Sequence, residues 1–520
     1  MKYWVEAAGR RFQVAAGTCL SEALAAQEVP LETPCGGRGR CRKCVVKIKG
    51  GAPVPTAADR EQLTPAELAG GFRLACQLRV ESDLSVAVVA AAGADARKSA
   101  LGRLSEPAEV DPWFPLRPAG PTLGFALDVG TTSMAGALLD LHTGEELAAR
   151  SVPNPQGVHG ADLMSRLSYA AQGEAQAREL QELVLDAARR LLDQLCQRAG
   201  VERESVAAGA LCGNTAMHHL FLGLPVADLA LAPYRPAQLQ GCEVELPGLP
   251  RLYALPNVAG FVGADAVAMA LAAGLDQEAA TVLAVDVGTN GEAFLCHRGE
   301  LFACSAPAGP AFEGGEISCG MRAGPGAVEG VAYRDGRLEL KVVGGKAPRG
   351  VCGSGLLDAA AALRAAGALD PTGRLRPEGP LEELVTPDGS AVALAPGLLL
   401  TQKDIRALQL AKGAVRVAVD LLLQVAGVRP TDLDAILLAG AFGSYLQPES
   451  ALAVGLLPPV AAAKVRSIGN AAAAGTKLAL LSKGARARAE ALARRTRHVE
   501  LATHPEFEER FMAALQFAAE

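Results

Sequence analysis

Three cysteines crowd one short stretch, Cys35-x5-Cys41-x2-Cys44, and a fourth, Cys76, follows much farther along. Three thiolates on a tight loop with a distant fourth is the plant-type and adrenodoxin-type spacing for a [2Fe–2S] cluster. Such a loop must fold over itself, and Gly36, Gly37 and Gly39 permit the positive φ angles this requires. Their N–H groups can bond to sulfide and thiolate, and Arg38, Arg40, Arg42 and Lys43 set positive charge around an anionic cluster. A zinc ribbon would show two short Cys-x2-Cys pairs, and a bacterial [4Fe–4S] site a Cys-x2-Cys-x2-Cys run; the sequence has neither. Cys35, Cys41, Cys44 and Cys76 are therefore the expected iron ligands. The remaining cysteines are scattered among apolar or small neighbours and read as buried thiols.

A second chemistry sits in three turns. Leu123 to Asp128 is an apolar run that ends in a carboxylate and enters Gly130-Thr131-Thr132. Thr281 to Asp286 repeats the pattern and enters Gly288-Thr289-Asn290-Gly291. Ala435 to Ala439 runs into Gly440-Ala441-Phe442-Gly443. One such turn is common; three in this order suit a nucleotide. The N–H groups of both Asp-x-Gly-Thr turns and the hydroxyls of Thr131, Thr132 and Thr289 can cradle phosphates. Asp128 and Asp286, the expected catalytic pair, can hold Mg²⁺ through water, since that ion dehydrates reluctantly. Gly440 and Gly443, flanking Ala441 and Phe442, let the backbone pass close to an adenine or ribose. His218-His219 invites a metal reading, but adjacent helical residues point about 100° apart.

The elements that must position these groups fall into an order. Lys2–Glu6 and Arg10–Val14 read as a hairpin turning at Ala8-Gly9, and Thr18 can cap a helix to about Gln27. Cys44 to Lys49 alternates like a strand, Thr64-Pro65-Ala66-Glu67 is a capping box, and Leu84 to Val89 closes the unit. This suits a β-grasp domain over residues 1–92. Residues 93–121 carry Pro112, Pro115, Pro118 and Pro121 without sustained period and read as a linker, with a short helix around Arg97 to Leu104. Beyond it α/β alternation continues, including a long helix from Ala175 to Arg198. The repeated Asp-x-Gly-Thr turn implies two homologous lobes, at 122–278 and 279–517.

The chain has 520 residues, half of them hydrophobic and a fifth charged, which excludes extended disorder. A net charge of −6 gives no nucleic-acid footprint. The start lacks an apolar export segment and no uncharged run is long enough to span a membrane, so a soluble, cytoplasmic protein with no membrane partner is expected.

The three turns resemble those of the acetate/sugar kinase, Hsc70 and actin (ASKHA) superfamily, whose two RNase-H-like lobes close on ATP. Ser467 to Lys477 resembles its second inter-lobe segment, with Ala and Gly permitting close helix packing. A plant-type ferredoxin ahead of such a module resembles the reductive activators of corrinoid proteins. The resemblance is carried by Pro34 to Cys44, Asp128 to Thr132, Asn154-Pro155-Gln156, Cys212 to Thr215, Asp286 to Gly291, Gly309 to Gly315 and Leu438 to Gly443. It implies an enzyme that takes one electron from a reduced low-potential donor and passes it, coupled to Mg·ATP, to Co(II) of a corrinoid protein, restoring Co(I). It also implies a homodimer through the C-terminal domain. No cysteine follows Cys352, which excludes further C-terminal clusters. The alternatives are an ATP-coupled donor to another low-potential metalloenzyme, a redox-regulated small-molecule kinase, and a nucleotide-binding redox sensor.

Overall fold

The computed structural model describes residues 2–27, 29, 31, 39, 42, 44–49, 52–88, 109–113, 116, 120–160, 162–440 and 445–517. Its N-terminal sheet holds β1 (Lys2–Ala7), β2 (Arg10–Ala15), β3 (Val45–Lys49), β4 (Phe72–Leu74) and β5 (Leu84–Val88), in the order β2-β1-β5-β3-β4. The β1–β2 turn falls at Ala8 and Gly9, at φ 50° and 76°, the left-handed pair that matches strand twist in a two-residue hairpin. β5, the last strand in sequence, lies at the centre, parallel to β1 and antiparallel to β3. Helix Leu20–Ala26 buries Leu20, Ala23 and Leu24. Its N-cap is Cys19 rather than Thr18, because the Thr18 carbonyl is taken by Val80 N at 2.9 Å in an extended pairing. The Thr64–Glu67 capping box forms as expected, and a second box, Thr56–Asp59, precedes it.

The remainder holds two six-stranded sheets. In the first, β6 (Leu123–Val129), β7 (Ser133–Asp140) and β8 (Glu146–Pro153) are antiparallel neighbours. β9 (Val206–Gly213) lies parallel to β6 on its other side, followed by β11 (Arg251–Ala254) and the edge strand β10 (Cys242–Val244). The second sheet repeats this plan. β12 (Val282–Val287), β13 (Gly291–His297) and β14 (Glu300–Ala306) are antiparallel, and Ala435–Ala439 and then Val465–Gly469 lie parallel beside β12. The repeat visible at two turns thus extends to five strands of each sheet. This is the α/β architecture of paired RNase-H-like lobes behind a ferredoxin domain.

Two alanine-rich helices, Ala264–Ala272 and Ala471–Leu481, cross between the sheets and share one core with both. That core takes Ala126, Ala137 and Leu139 from the first sheet and Ala284, Phe294 and Ala303 from the second. The helices meet at Gly475, where a Cβ would overlap the Ala268 carbonyl, so only glycine permits this approach. Helix Glu174–Ala199 covers the outer face of the first sheet, and Gln402–Ala426 that of the second. Among the described residues no helix is long and apolar enough to cross a membrane. The helix expected around Arg97 to Leu104 lies outside the described residues.

Candidate functional site

Cys44 immediately precedes β3 and Cys76 follows β4, two antiparallel partners, so the sheet brings them together. Their Sγ atoms stand 3.2 Å apart, buried. That is too long for a disulfide and short enough for both thiolates to reach one iron. The Cys76 carbonyl accepts from Cys19 Sγ at 3.4 Å, and Gln77 Nε2 lies 3.8 Å from Cys76 Sγ. Gly39 takes φ 71°, and a Cβ there would press on Ala58 and Gln77, so the loop needs glycine at this point. Cys35 and Cys41 lie outside the described residues.

The two Asp-x-Gly-Thr turns face each other. Asp128, near the end of β6, is paired in register with Cys212 of β9; Asp286, near the end of β12, is paired with Ala439 on one side and Glu292 of β13 on the other. Burial pushes the Asp128 carboxyl up to about 6, with bonds from Asn470 and Cys212 opposing. Burial, then the charges of Asp128 and Glu313, push Asp286 up to about 7. Asp265, in the first turn of the crossing helix Ala264–Ala272, is raised to about 7 by burial and Asp128. Burial, with Asp265 and Asp286 adding to it, pushes Glu292 well up. The cleft is therefore an anionic cluster in low dielectric, each carboxylate raising the next. A divalent cation fits such a set. Among the described residues no three acidic, His or Cys groups are placed to grip a metal directly.

The turns themselves are braced. The Gly130 carbonyl accepts from Asn154 Nδ2 at 2.8 Å, and the Thr131 carbonyl from Arg166 Nη2 at 2.6 Å. Thr131 Oγ1 accepts from Asn214 Nδ2 at 3.0 Å. Thr132 and Thr289 meet hydroxyl to hydroxyl at 3.2 Å, and Thr289 donates to Glu313 Oε1 at 2.5 Å. Gly288 N donates to the Asn290 carbonyl at 3.3 Å, closing the second turn. Gly291 packs instead, since a Cβ would meet Val415 at 2.8 Å. Gly440 takes φ 90°, and a Cβ there would overlap Asp286 Oδ1, so glycine leaves that carboxylate its space. Ala441 and Gly443 lie outside the described residues. His218 and His219 are both buried; His219 Nε2 accepts from the backbone N–H of Ala237 and Gln238, a structural role.

Four site residues escaped the sequence reading. Glu313 lies in the Gly309–Gly315 motif, but nothing local ties it to Thr289. Asp265, Glu292 and Arg166 carried no motif. The signal for Asp265 was the repeat itself: helix Ala264–Ala272 follows β11 as Ala471–Leu481 follows Val465–Gly469.

Residues 280–520 match the family model of the C-terminal ASKHA domain of RACo, residues 123–278 that of the RACo middle region, and residues 5–81 that of the 2Fe-2S iron-sulfur cluster binding domain. A corrinoid activation enzyme of Eubacterium limosum is 35% identical over 426 residues, 76% of this chain and 70% of its own. The chain belongs to the RACo family. Another relative, the Co(II) methylated amine-specific corrinoid protein reductase of Methanosarcina barkeri, is 28% identical over 408 residues, 69% of this chain and 70% of that one. A solved structure of a reductive activator for corrinoid, iron-sulfur protein superposes with TM-score 0.73 and 29% identity, over 99% of this chain and 98% of the other. That breadth makes this member a three-part RACo protein: an iron–sulfur domain, the middle lobe and the ASKHA lobe.

Proposed function

We propose that this RACo-family protein is an ATP-dependent reductive activator, which passes one electron from a [2Fe–2S] cluster to Co(II) of a corrinoid protein and returns it to Co(I). The observation that carries the reading is the joining, in one chain, of a converging thiol pair in a ferredoxin fold and an acidic cleft between two RNase-H-like lobes. The relatives named as corrinoid activation enzyme and corrinoid protein reductase support the target class.

Cys35, Cys41, Cys44 and Cys76 would hold the cluster, which would supply a one-electron store near −400 mV. Asp128 and Asp286 would hold Mg²⁺ through its water, and Asp265 and Glu292 would deepen the negative field that favours the ion. Thr132 and Thr289 turn their hydroxyls from each other to the phosphates. Glu313, released from Thr289, accepts from the attacking water; that water adds to the terminal phosphorus as the bond to the ADP oxygen breaks. Electron transfer to Co(II), which yields Co(I), runs uphill, so the nucleotide must favour one lobe arrangement over another by differential affinity. A reduced low-potential protein refills the cluster, and two copies associate through the C-terminal domain.

The test mixes the Ti(III)-reduced protein with a Co(II) corrinoid protein under anaerobic conditions and follows the Co(I) absorbance with and without Mg·ATP. ATP-dependent Co(I) supports the reading; Co(II) persisting with several corrinoid proteins, despite ATP turnover, removes it.

A further inference from the structure

The crossing helix Ala471–Leu481 has one end in the cleft and the other on the segment that leads back to the ferredoxin domain. At its N-cap, Asn470 Nδ2 donates to Asp128 Oδ2 at 3.4 Å. At its C-terminal end the Leu481 carbonyl accepts from Asp111 N at 3.0 Å, and the Asp111 carbonyl accepts from Lys483 N at 2.9 Å. Asp111 thereby forms a parallel bridge with Ser482. Within the stretch 93–121, which reads as a linker, Asp111 is paired with the C-terminal lobe.

Two residues on, Trp113 completes the attachment. Its ring lies 4.4 Å from the Arg486 guanidinium, which also lies 3.7 Å from the Tyr253 ring and 3.2 Å from Glu243 Oε1. Arg251 approaches the same indole at 5.8 Å and pairs with Glu243 at 2.5 Å. Tyr253 OH donates to Glu490 Oε1 at 2.9 Å. Arg486 and Glu490 stand on helix Lys483–Arg495 of the second lobe, while Tyr253 and Arg251 stand on β11 and Glu243 on β10 of the first. Trp113 therefore sits on a seam between the lobes. Any shift of one lobe against the other changes the guanidinium and carboxylate positions around it, which is the differential contact that a nucleotide-driven change requires.

We propose that Asp111 and Trp113 form a clamp that fixes the root of the ferredoxin tether to the lobe seam, so that closure of the cleft on nucleotide sets where the cluster is presented. Trp113 is a positioning residue that acts through Arg486 and Arg251. The helix Ala471–Leu481 carries the movement, because its two ends are bonded to Asp128 and to Asp111. This rests on the ATP-coupled reading above.

The experiment uses the full-length holoprotein in two measurements. Amide hydrogen exchange is followed in peptides covering 109–113 and 481–486, with and without Mg·ATP, in the wild type, Trp113→Ala and Trp113→Phe. Co(I) formation and ATP turnover are then measured on the same proteins. Nucleotide is expected to change exchange in both peptides of the wild type. In Trp113→Ala the change disappears, ATP turnover stays within about twofold, and ATP-stimulated Co(I) formation falls about tenfold. Trp113→Phe, which keeps a ring over Arg486, recovers most of it. Exchange indifferent to Mg·ATP in the wild type overturns the clamp. So does a Trp113→Ala protein in which turnover and Co(I) formation fall together, or in which neither falls. Nucleotide-sensitive exchange without Co(I) formation by the wild type supports the clamp and removes the corrinoid reading instead.

Discussion

The hydroxyls of Thr132 and Thr289 meet at 3.2 Å across the cleft, although 157 residues separate them. Each belongs to the Asp-x-Gly-Thr turn of its own lobe. Thr289 commits its proton to Glu313, so Thr132 donates in this pair. Phosphate oxygens entering here replace a hydroxyl contact with two.

The first prediction concerns these turns. Thr289→Val keeps the shape and removes the hydroxyl. ATP turnover should fall about tenfold, less than the roughly 10²–10³-fold cost of losing a preorganised donor, because the Thr289 proton must first leave Glu313, while the visible spectrum of the cluster is unchanged. Thr131→Val should behave differently. That hydroxyl accepts from Asn214 and keeps its own proton, so both ATP turnover and stability should fall, the latter by about 1 kcal/mol, read as a lower melting temperature.

The second prediction is a pH dependence. Burial raises Asp128 from the ordinary carboxyl value to about 6, and burial with the Asp128 charge raises Asp265 and Asp286 to about 7 each. The folded chain thus binds protons that the unfolded chain has released. Stability that is complete below pH ~4 is lost as pH rises through 6 and 7. Metal-free protein should melt at progressively lower temperature between these limits, and Asp286→Asn should flatten the slope. Mg²⁺ favours the ionised forms, so Mg·ATP binding near pH 7 should release protons. Calorimetry in buffers of different ionisation enthalpy checks the sign.

Two glycines separate packing from chemistry. Gly440→Ala places a methyl against the Asp286 carboxylate at φ 90°, so ATP turnover should drop with only a modest change in melting. Gly475→Ala forces the two crossing helices apart and should cost roughly 1–3 kcal/mol, the scale of overpacking a close interface, seen first in thermal melting.

The fourth prediction isolates the iron–sulfur domain. Cys76→Ser should bleach the visible cluster absorption and abolish the reduced cluster's paramagnetic signal. ATP turnover should persist, because Cys44 and Cys76 share a core separate from that of the lobes.

Much of this arrangement was legible in the sequence because its local signals agree. The Ala8-Gly9 turn, the Thr64–Glu67 box and the apolar strands ending in Asp128 and Asp286 all depend on neighbours a few residues away. What stayed hidden depends on distant partners. Thr18 reads as a cap until Val80 takes its carbonyl. Leu84–Val88 reads as a final strand, yet it fills the centre of its sheet, since order within a sheet is set by crossover connections. Asp265 and Glu292 have ordinary neighbours, and only the meeting of the two lobes turns them into one acidic cluster. Thr131 is expected to serve phosphate, and its hydroxyl also accepts from Asn214, a bond between residues far apart in sequence that no local pattern shows.

The most direct measurement is anaerobic mixing of the reduced protein with a Co(II) corrinoid protein, with the Co(I) absorbance followed before and after Mg·ATP is added. The account predicts Co(I) only with Mg·ATP, and none from Cys76→Ser or Asp286→Asn. Co(I) forming equally well without nucleotide, or never forming although cluster reduction and ATP turnover are intact, would contradict it.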